Sequence, residues 1–219
     1  MPESSTEDRK VRILDAAEKA FADFGFAGAS LRHIVGEAAV NLPAVYYYFG
    51  SKEGLLEAVF KRRFGPLRQE QLELLKRFEA GAHGQPLATE RVLEAMLLPP
   101  LHLAITGAAK HQAVMRLIGR IVTEPNPQIQ ALLRSQHEEV RTAFVRAMGR
   151  SLPRIPRSDL RWRLEFIWGA LAFVMCNPRR IERETKGACD LVDTQEVLSQ
   201  MISFFSAGLR APAICRRKL

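Results

Sequence analysis

Every tyrosine in this 219-residue chain falls at one of three consecutive positions, Tyr46, Tyr47 and Tyr48. A phenolic hydroxyl reaches a phosphate oxygen without adding charge, so such a run on a short helix suits a nucleic-acid backbone. Tyr46 fits either a core position or that exposed side, whereas Tyr47 and Tyr48 fit the exposed side. Other chemistry is not assembled. His33, His83, His102, His111 and His137 lack metal-ligand spacing and have no cysteines or paired carboxylates to support them. There is no nucleophile–base pattern, no phosphate-cradling glycine loop and no His-Glu-x-x-His. The residues therefore point to a binding protein rather than an enzyme, with no cofactor and no metal. Cys176, Cys189 and Cys215 are odd in number and lack Cys-x-x-Cys spacing, which fits free thiols in a reducing cytoplasm.

The tyrosines need a helix with one face held by a core and the other free, and the flanking residues supply it. Val11, Leu14, Ala17, Phe21 and Phe24 recur every three or four residues, giving an apolar stripe on a first helix. Ser4 with Glu7 forms a capping-box pattern at its start, and Gly25-Phe26 is its stop. Ser30 caps a second helix over 30–38, which carries Leu31, Ile34, Val35 and Ala38. Asn41 caps a third, with Pro43 in the first turn where a missing N–H does no harm. Val45 and Phe49, four apart, anchor its inner face with Val40 and Ile34 behind them, so that Pro43, Ala44, Tyr47 and Tyr48 point away. Two short helices joined by a tight turn and packed on an amphipathic first helix have the layout of a helix-turn-helix. Ser51 caps a fourth helix over 51–78, and Gly65-Pro66 is expected to kink or end it.

The remaining periodicity is also helical, over 86–106, 110–122, 126–150, 157–177 and 194–209. Breaks fall at Pro99-Pro100 (a kink or junction), Pro125-Asn126-Pro127, Pro153 to Pro156 and Asn177-Pro178, and residues 179–192 are only weakly periodic. With no period-2 strand signal, the fold class is all-α. The expected division is a DNA-binding segment over 1–50 and a larger helical segment over 51–219 for ligand binding and dimerisation. Hydrophobic residues at 47% and charged residues at 26% match an ordinary globular protein. The longest apolar run, Phe166 to Cys176, is shorter than the ~20 residues needed to span a bilayer, so no membrane partner is expected. The N-terminus shows no secretory pattern. Net charge is +8, yet nine basic and nine acidic side chains cancel over residues 1–65. Bulk charge does not locate the site, and the excess over Arg141–Lys186 fits a solvated surface better than a second DNA site.

Residues 25–56, running from Gly25-Phe26-Ala27-Gly28-Ala29-Ser30-Leu31-Arg32-His33-Ile34 through Val45-Tyr46-Tyr47-Tyr48-Phe49-Gly50-Ser51-Lys52-Glu53-Gly54-Leu55-Leu56, resemble the DNA-binding domain of the tetracycline-repressor (TetR) family. Ile13-Leu14-Asp15-Ala16-Ala17 and Phe21-Ala22-Asp23-Phe24-Gly25 are similar to that family's first helix, and the match extends over about 8–60. The resemblance implies a homodimeric, one-component regulator that binds a palindromic double-stranded DNA operator and leaves it when a small molecule enters the C-terminal segment. It also implies roles for single residues. Ser30 caps the second helix and contacts phosphate. Arg32 stands where some members read a guanine edge, although a solvated helix charge is the plain alternative. Asn41, Leu42, Pro43 and Ala44 form the first turn of the recognition helix. Tyr46, Tyr47 and Tyr48 contact phosphate, as does Lys52 at the start of the fourth helix. The chain departs from the family pattern at Ala39, where glycine is frequent. A left-handed alanine there costs ~1–2 kcal/mol, unless the turn takes another form. It departs again at Tyr48, commonly histidine.

For the C-terminal segment, Leu97, Leu98, Leu101, Ile105, Met115, Ile118, Phe144, Trp168 and Met175 are candidate pocket walls, with packed core as the alternative for each. His102 or Arg116 would anchor an acidic head group. Phe166, Gly169, Ala170 and Phe173, with Ile202, Phe205 and Leu209, form stripes suited to the four-helix contact through which the family dimerises. Met115-Arg116-Leu117-Ile118-Gly119, Pro153-Arg154-Ile155-Pro156 and Phe204-Phe205-Ser206-Ala207-Gly208-Leu209-Arg210-Ala211 resemble a fatty-acid-responsive branch, which implies a fatty acid or acyl-thioester effector. An all-α small-molecule carrier or enzyme without operator binding is the alternative class.

Overall fold

Gly25 interrupts the first helical run with φ 72 and ψ 176, a conformation open to glycine and strained for other residues. It lies within α1 (Thr6–Gly28). The computed structural model describes residues 6–106, 117, 119, 125–176, 178–189 and 193–213, and every regular element among them is a helix. The all-α expectation holds there. After α1 come α2 (Leu31–Glu37), α3 (Leu42–Phe49), α4 (Lys52–Gly81) and α5 (Thr89–Thr106). They are followed by α6 (Pro127–Ser151), α7 (Arg157–Cys176), α8 (Pro178–Glu184) and α9 (Thr194–Arg210). Of the helix expected over 110–122 only residues 117 and 119 are described, both helical, and the Ser4 cap lies outside the described residues. None of the described helices is long and apolar enough to cross a membrane.

The chain packs as two units. The first comprises residues 1–66 and 108–136, so it holds the whole 1–50 segment and the first half of α4. Its core is the apolar stripe of α1 (Ile13, Leu14, Ala17, Phe21) with Ile34, Val45, Leu55 and Val59, all buried. Val11 and Phe24, the two ends of that stripe, remain exposed. A charged cluster ties α4 to α1. The carboxylate of Glu18, only 5% exposed, accepts from Arg62 Nη2 at 2.8 Å and from Arg63 Nε at 2.5 Å, while Arg62 Nη1 reaches Asp15 at 2.9 Å. A buried carboxylate is tolerable because two guanidiniums satisfy it.

The second unit comprises residues 67–107 and 137–219, in which α5 packs against α7 and α9, and α9 against α7. Leu93, Met96, Leu97, Leu101, Phe144 and Ile167 are buried there. Asp193 opens α9 by accepting from the Gln195 amide at 2.8 Å. Arg163 closes it, donating to the carbonyls of Leu209 at 2.7 Å, Ala211 at 2.8 Å and Pro212 at 3.0 Å, which are among the acceptors a helix end leaves without partners.

Three expectations are corrected. Gly65-Pro66 neither ends nor divides α4, which runs unbroken from Lys52 to Gly81. The missing proline bond is offset by apolar burial on either side, at Phe60 and Phe64 before it and Leu75 after it. Pro99 and Pro100 mark no junction: they lie inside one helix, α5, in keeping with the 86–106 span. The weakly periodic stretch after Asn177 contains a further short helix, α8.

Candidate nucleic-acid interface

The caps read from the sequence are formed. The Ser30 hydroxyl accepts from the Arg32 amide at 3.2 Å, Asn41 Oδ1 from the Ala44 amide at 3.1 Å, and the Ser51 hydroxyl from the Gly54 amide at 3.0 Å. Each satisfies a donor that a helix start would otherwise leave to solvent. Between α2 and α3, Ala39 stands at φ 50, the left-handed alternative, and its amide donates to the Gly36 carbonyl at 3.1 Å. A short αL turn there joins the two helices at the cost of one strained alanine.

Val45 fastens α3 to the core with no exposure, as does Ile34 for α2, but Phe49 and Val40 are only half-buried. Tyr46 and Tyr47 stand out from α3 at 51% and 82% exposure, so Tyr46 is not a core residue. Tyr48 is half-buried, edge-on to Tyr47 at 5.0 Å between ring centroids and to Phe49 at 6.2 Å. Ser30, Arg32, Asn41 and Pro43 are exposed; Leu42 and Ala44 are half-buried. The face thus offers two free phenols and a guanidinium over a sparse, largely apolar first turn of α3. Hydroxyl and guanidinium donors hold phosphates, and the apolar turn suits contact with thymine methyls.

Lys52 opens α4 with its ammonium 4.6 Å from the centroid of the Phe26 ring. Partial burial lowers its pKa, and Glu53 beside it acts in the opposite sense. Phe26 is read from the sequence only as part of a helix stop, although an aromatic after Gly25 was the available signal. Further along α4, Arg62 and Arg63 are engaged by Glu18.

Of the C-terminal candidates, Leu97, Leu101, Phe144 and Met175 are buried, Ile105 and Trp168 half-buried, and His102 exposed. Met115, Arg116 and Ile118 lie outside the described residues. On the expected dimer stripes Phe166 is 65% exposed, Gly169 and Phe173 are exposed, and Ala170, Ile202 and Phe205 are half-buried. Leu209, on the same stripe, is buried within its own unit. Trp162 and Phe204, at 61% and 75% exposure, belong to the free apolar set instead.

Two family models match the chain. "Bacterial regulatory proteins, tetR family" covers residues 13–59, and "Tetracyclin repressor-like, C-terminal domain" covers residues 94–208, a little over half of the chain. Among curated proteins, the HTH-type transcriptional regulator UidR of Escherichia coli (strain K12) is 26% identical over 143 residues, 65% of either chain. The chain thus spans about two-thirds of that relative's length. Among solved structures, the fatty acid degradation regulator FadR from Bacillus halodurans superposes with a TM-score of 0.65 at 18% identity, covering 92% of this chain and 96% of that one. FadR from Bacillus subtilis, solved in complex with stearoyl-CoA, gives 0.56 at 16% identity over 90% and 98%. At these identities the two structures speak for the fold.

Proposed function

The chain belongs to the TetR family of bacterial transcriptional regulators, and from that premise we propose that it is a homodimeric repressor released from a palindromic operator by a small apolar effector. The observation that carries this is the outward stand of Tyr46 and Tyr47 on a helix capped by Asn41 and pinned by buried Val45. Ser30, Tyr46, Tyr47, Tyr48 and Lys52 hold phosphate; Arg32 reads a base edge; Asn41, Leu42, Pro43 and Ala44 approach the groove. Two copies place α3 about one helical turn of DNA apart, ~34–36 Å. The second copy docks on the apolar face of Trp162, Phe166, Phe173 and Phe204, since large exposed aromatics of this kind favour burial.

The effector is a fatty acid or acyl-thioester bound in the C-terminal segment, a reading supported by the stearoyl-CoA complex of the Bacillus subtilis relative. It must bind the released state more tightly, because equal affinity for both states shifts nothing. Residues 1–50 bind DNA, residues 51–219 bind ligand and dimerise, α4 is the lever, and the whole works in the cytoplasm.

Selection of bound genomic fragments followed by footprinting tests the reading. The expected result is a discrete palindromic footprint that Arg32→Ala, Tyr47→Phe and Lys52→Ala each weaken several-fold, with Lys52→Ala, which removes a phosphate-contacting charge, also reducing the salt slope and the neutral Tyr47→Phe leaving it unchanged. Unchanged binding in all three variants overturns the site. A chain that binds acyl ligands but no DNA fragment is instead the carrier or enzyme of the alternative class.

A further inference from the structure

Two helices of the second unit leave between them a groove lined by more arginines than carboxylates. Between α6 and α7 lies a cleft of about 750 Å³, within the ~300–1,000 Å³ that small-molecule sites occupy. Its floor is apolar, formed by Val145, Leu160, Leu164 and the half-buried indole of Trp168. A Cβ at Gly149 would meet only Leu160 Cδ2, at the ordinary contact distance of 3.8 Å, so a larger side chain there has the cleft before it.

Five arginines line the cleft against two carboxylates, Glu138 and Glu165. Arg141 donates to Glu165 and Arg150 to Glu79. Arg146, Arg157 and Arg161 are exposed and form no ion pair among the described residues. Arg157 and Arg161 are one helical turn apart, so both guanidiniums lie on one side of α7. Like charges gathered in excess of their counter-charges repel one another, and a planar guanidinium fork matches an oxyanion in bidentate geometry. From Arg161 to Trp168 is seven residues, about 10 Å of helix.

The geometry points to a binding site for an organic anion: one carboxylate or phosphate monoester held by Arg146, Arg157 and Arg161, with an apolar body of roughly 10 Å lying over Leu164 to the Trp168 ring. A nucleic-acid backbone satisfies the arginines but leaves the apolar floor uncovered, which disfavours it as the occupant. The site shares only Trp168 with the effector-pocket residues expected from the sequence, and it stands whether or not the chain binds an operator.

The chain has two tryptophans, so Trp162→Phe leaves Trp168 as the sole indole, a reporter inside the cleft. Full-length Trp162→Phe protein is titrated with decanoate, decyl phosphate and decanol below their aggregation limits, and with duplex DNA. Saturable change in Trp168 emission with either anion, at least tenfold weaker with decanol, is the expected result. The relative affinity for decanoate and decyl phosphate identifies the head group. Arg157→Gln with Arg161→Gln lowers anion affinity at least tenfold and leaves decanol unaffected; both positions are exposed, so the fold is retained. Gly149→Leu fills the cleft and abolishes the response. Decanol binding as tightly as the anions, anion affinity unchanged in the arginine variant, or DNA displacing the anion from this cleft would each overturn the assignment.

Discussion

The side-chain amide of Gln71 donates to the main-chain carbonyl of Met96 at 2.6 Å, both within the second unit. In an uninterrupted helix that carbonyl would accept from the amide of residue 100, which here is proline and has none. Gln71 is itself buried. One buried side chain thus replaces the backbone bond that Pro100 removes, and α5 passes through its proline pair as a single helix.

Replacing Gln71 by leucine leaves a buried carbonyl without a donor, and should cost about 1–3 kcal/mol in urea unfolding. Adding Pro100→Ala restores the amide and should recover most of that loss, so the two changes are non-additive. Equal stability of Gln71→Leu and the parent protein would show that the bond contributes nothing.

Ala39 should gain from becoming glycine. At φ 50 its Cβ costs ~1–2 kcal/mol, against which glycine loses ~0.4–1 kcal/mol of unfolded-chain entropy. The net expectation is a stabilisation of roughly 0.5–1 kcal/mol, seen as a rise of a few degrees in the melting temperature. Ala39→Val should move it the other way, and a lower melting temperature for Ala39→Gly would contradict the strained turn.

His137 carries the clearest pH dependence. Burial, then the nearby Arg68 and Arg141 guanidiniums, push its pKa down to about 4. An unfolded histidine titrates near ~6.5, so between there and 4 the unfolded state binds a proton that the folded state refuses. Stability from this group is complete above ~6.5 and is lost as pH falls towards 4, by up to ~3 kcal/mol. His137→Gln should flatten that part of the curve; an unchanged slope would count against the buried neutral imidazole.

Features governed by near neighbours were legible in the sequence. Ser30, Asn41 and Ser51 cap their helices as read, because each cap bond spans two or three residues. Gly25 breaks α1 as read, because its positive φ is a property of that residue. The fate of Pro66 and of Pro99-Pro100 was not legible, since a proline ends a helix only when nothing elsewhere offsets the lost bond. Leu209 and Phe205 show the same limit: both were read on one apolar stripe of α9, yet one is buried and the other half-buried.

The sequence by itself determined the helical class, the caps, the tyrosine run on α3 and the family to which these motifs belong. Each depends on residue type and on partners within a turn or two. Only the tertiary structure decided which charges are engaged and which helices survive their prolines. Glu18 meets Arg62 across 44 residues and Gln71 meets Met96 across 25. Contacts at such separations are set by which helices pack together, and no local periodicity encodes that pairing.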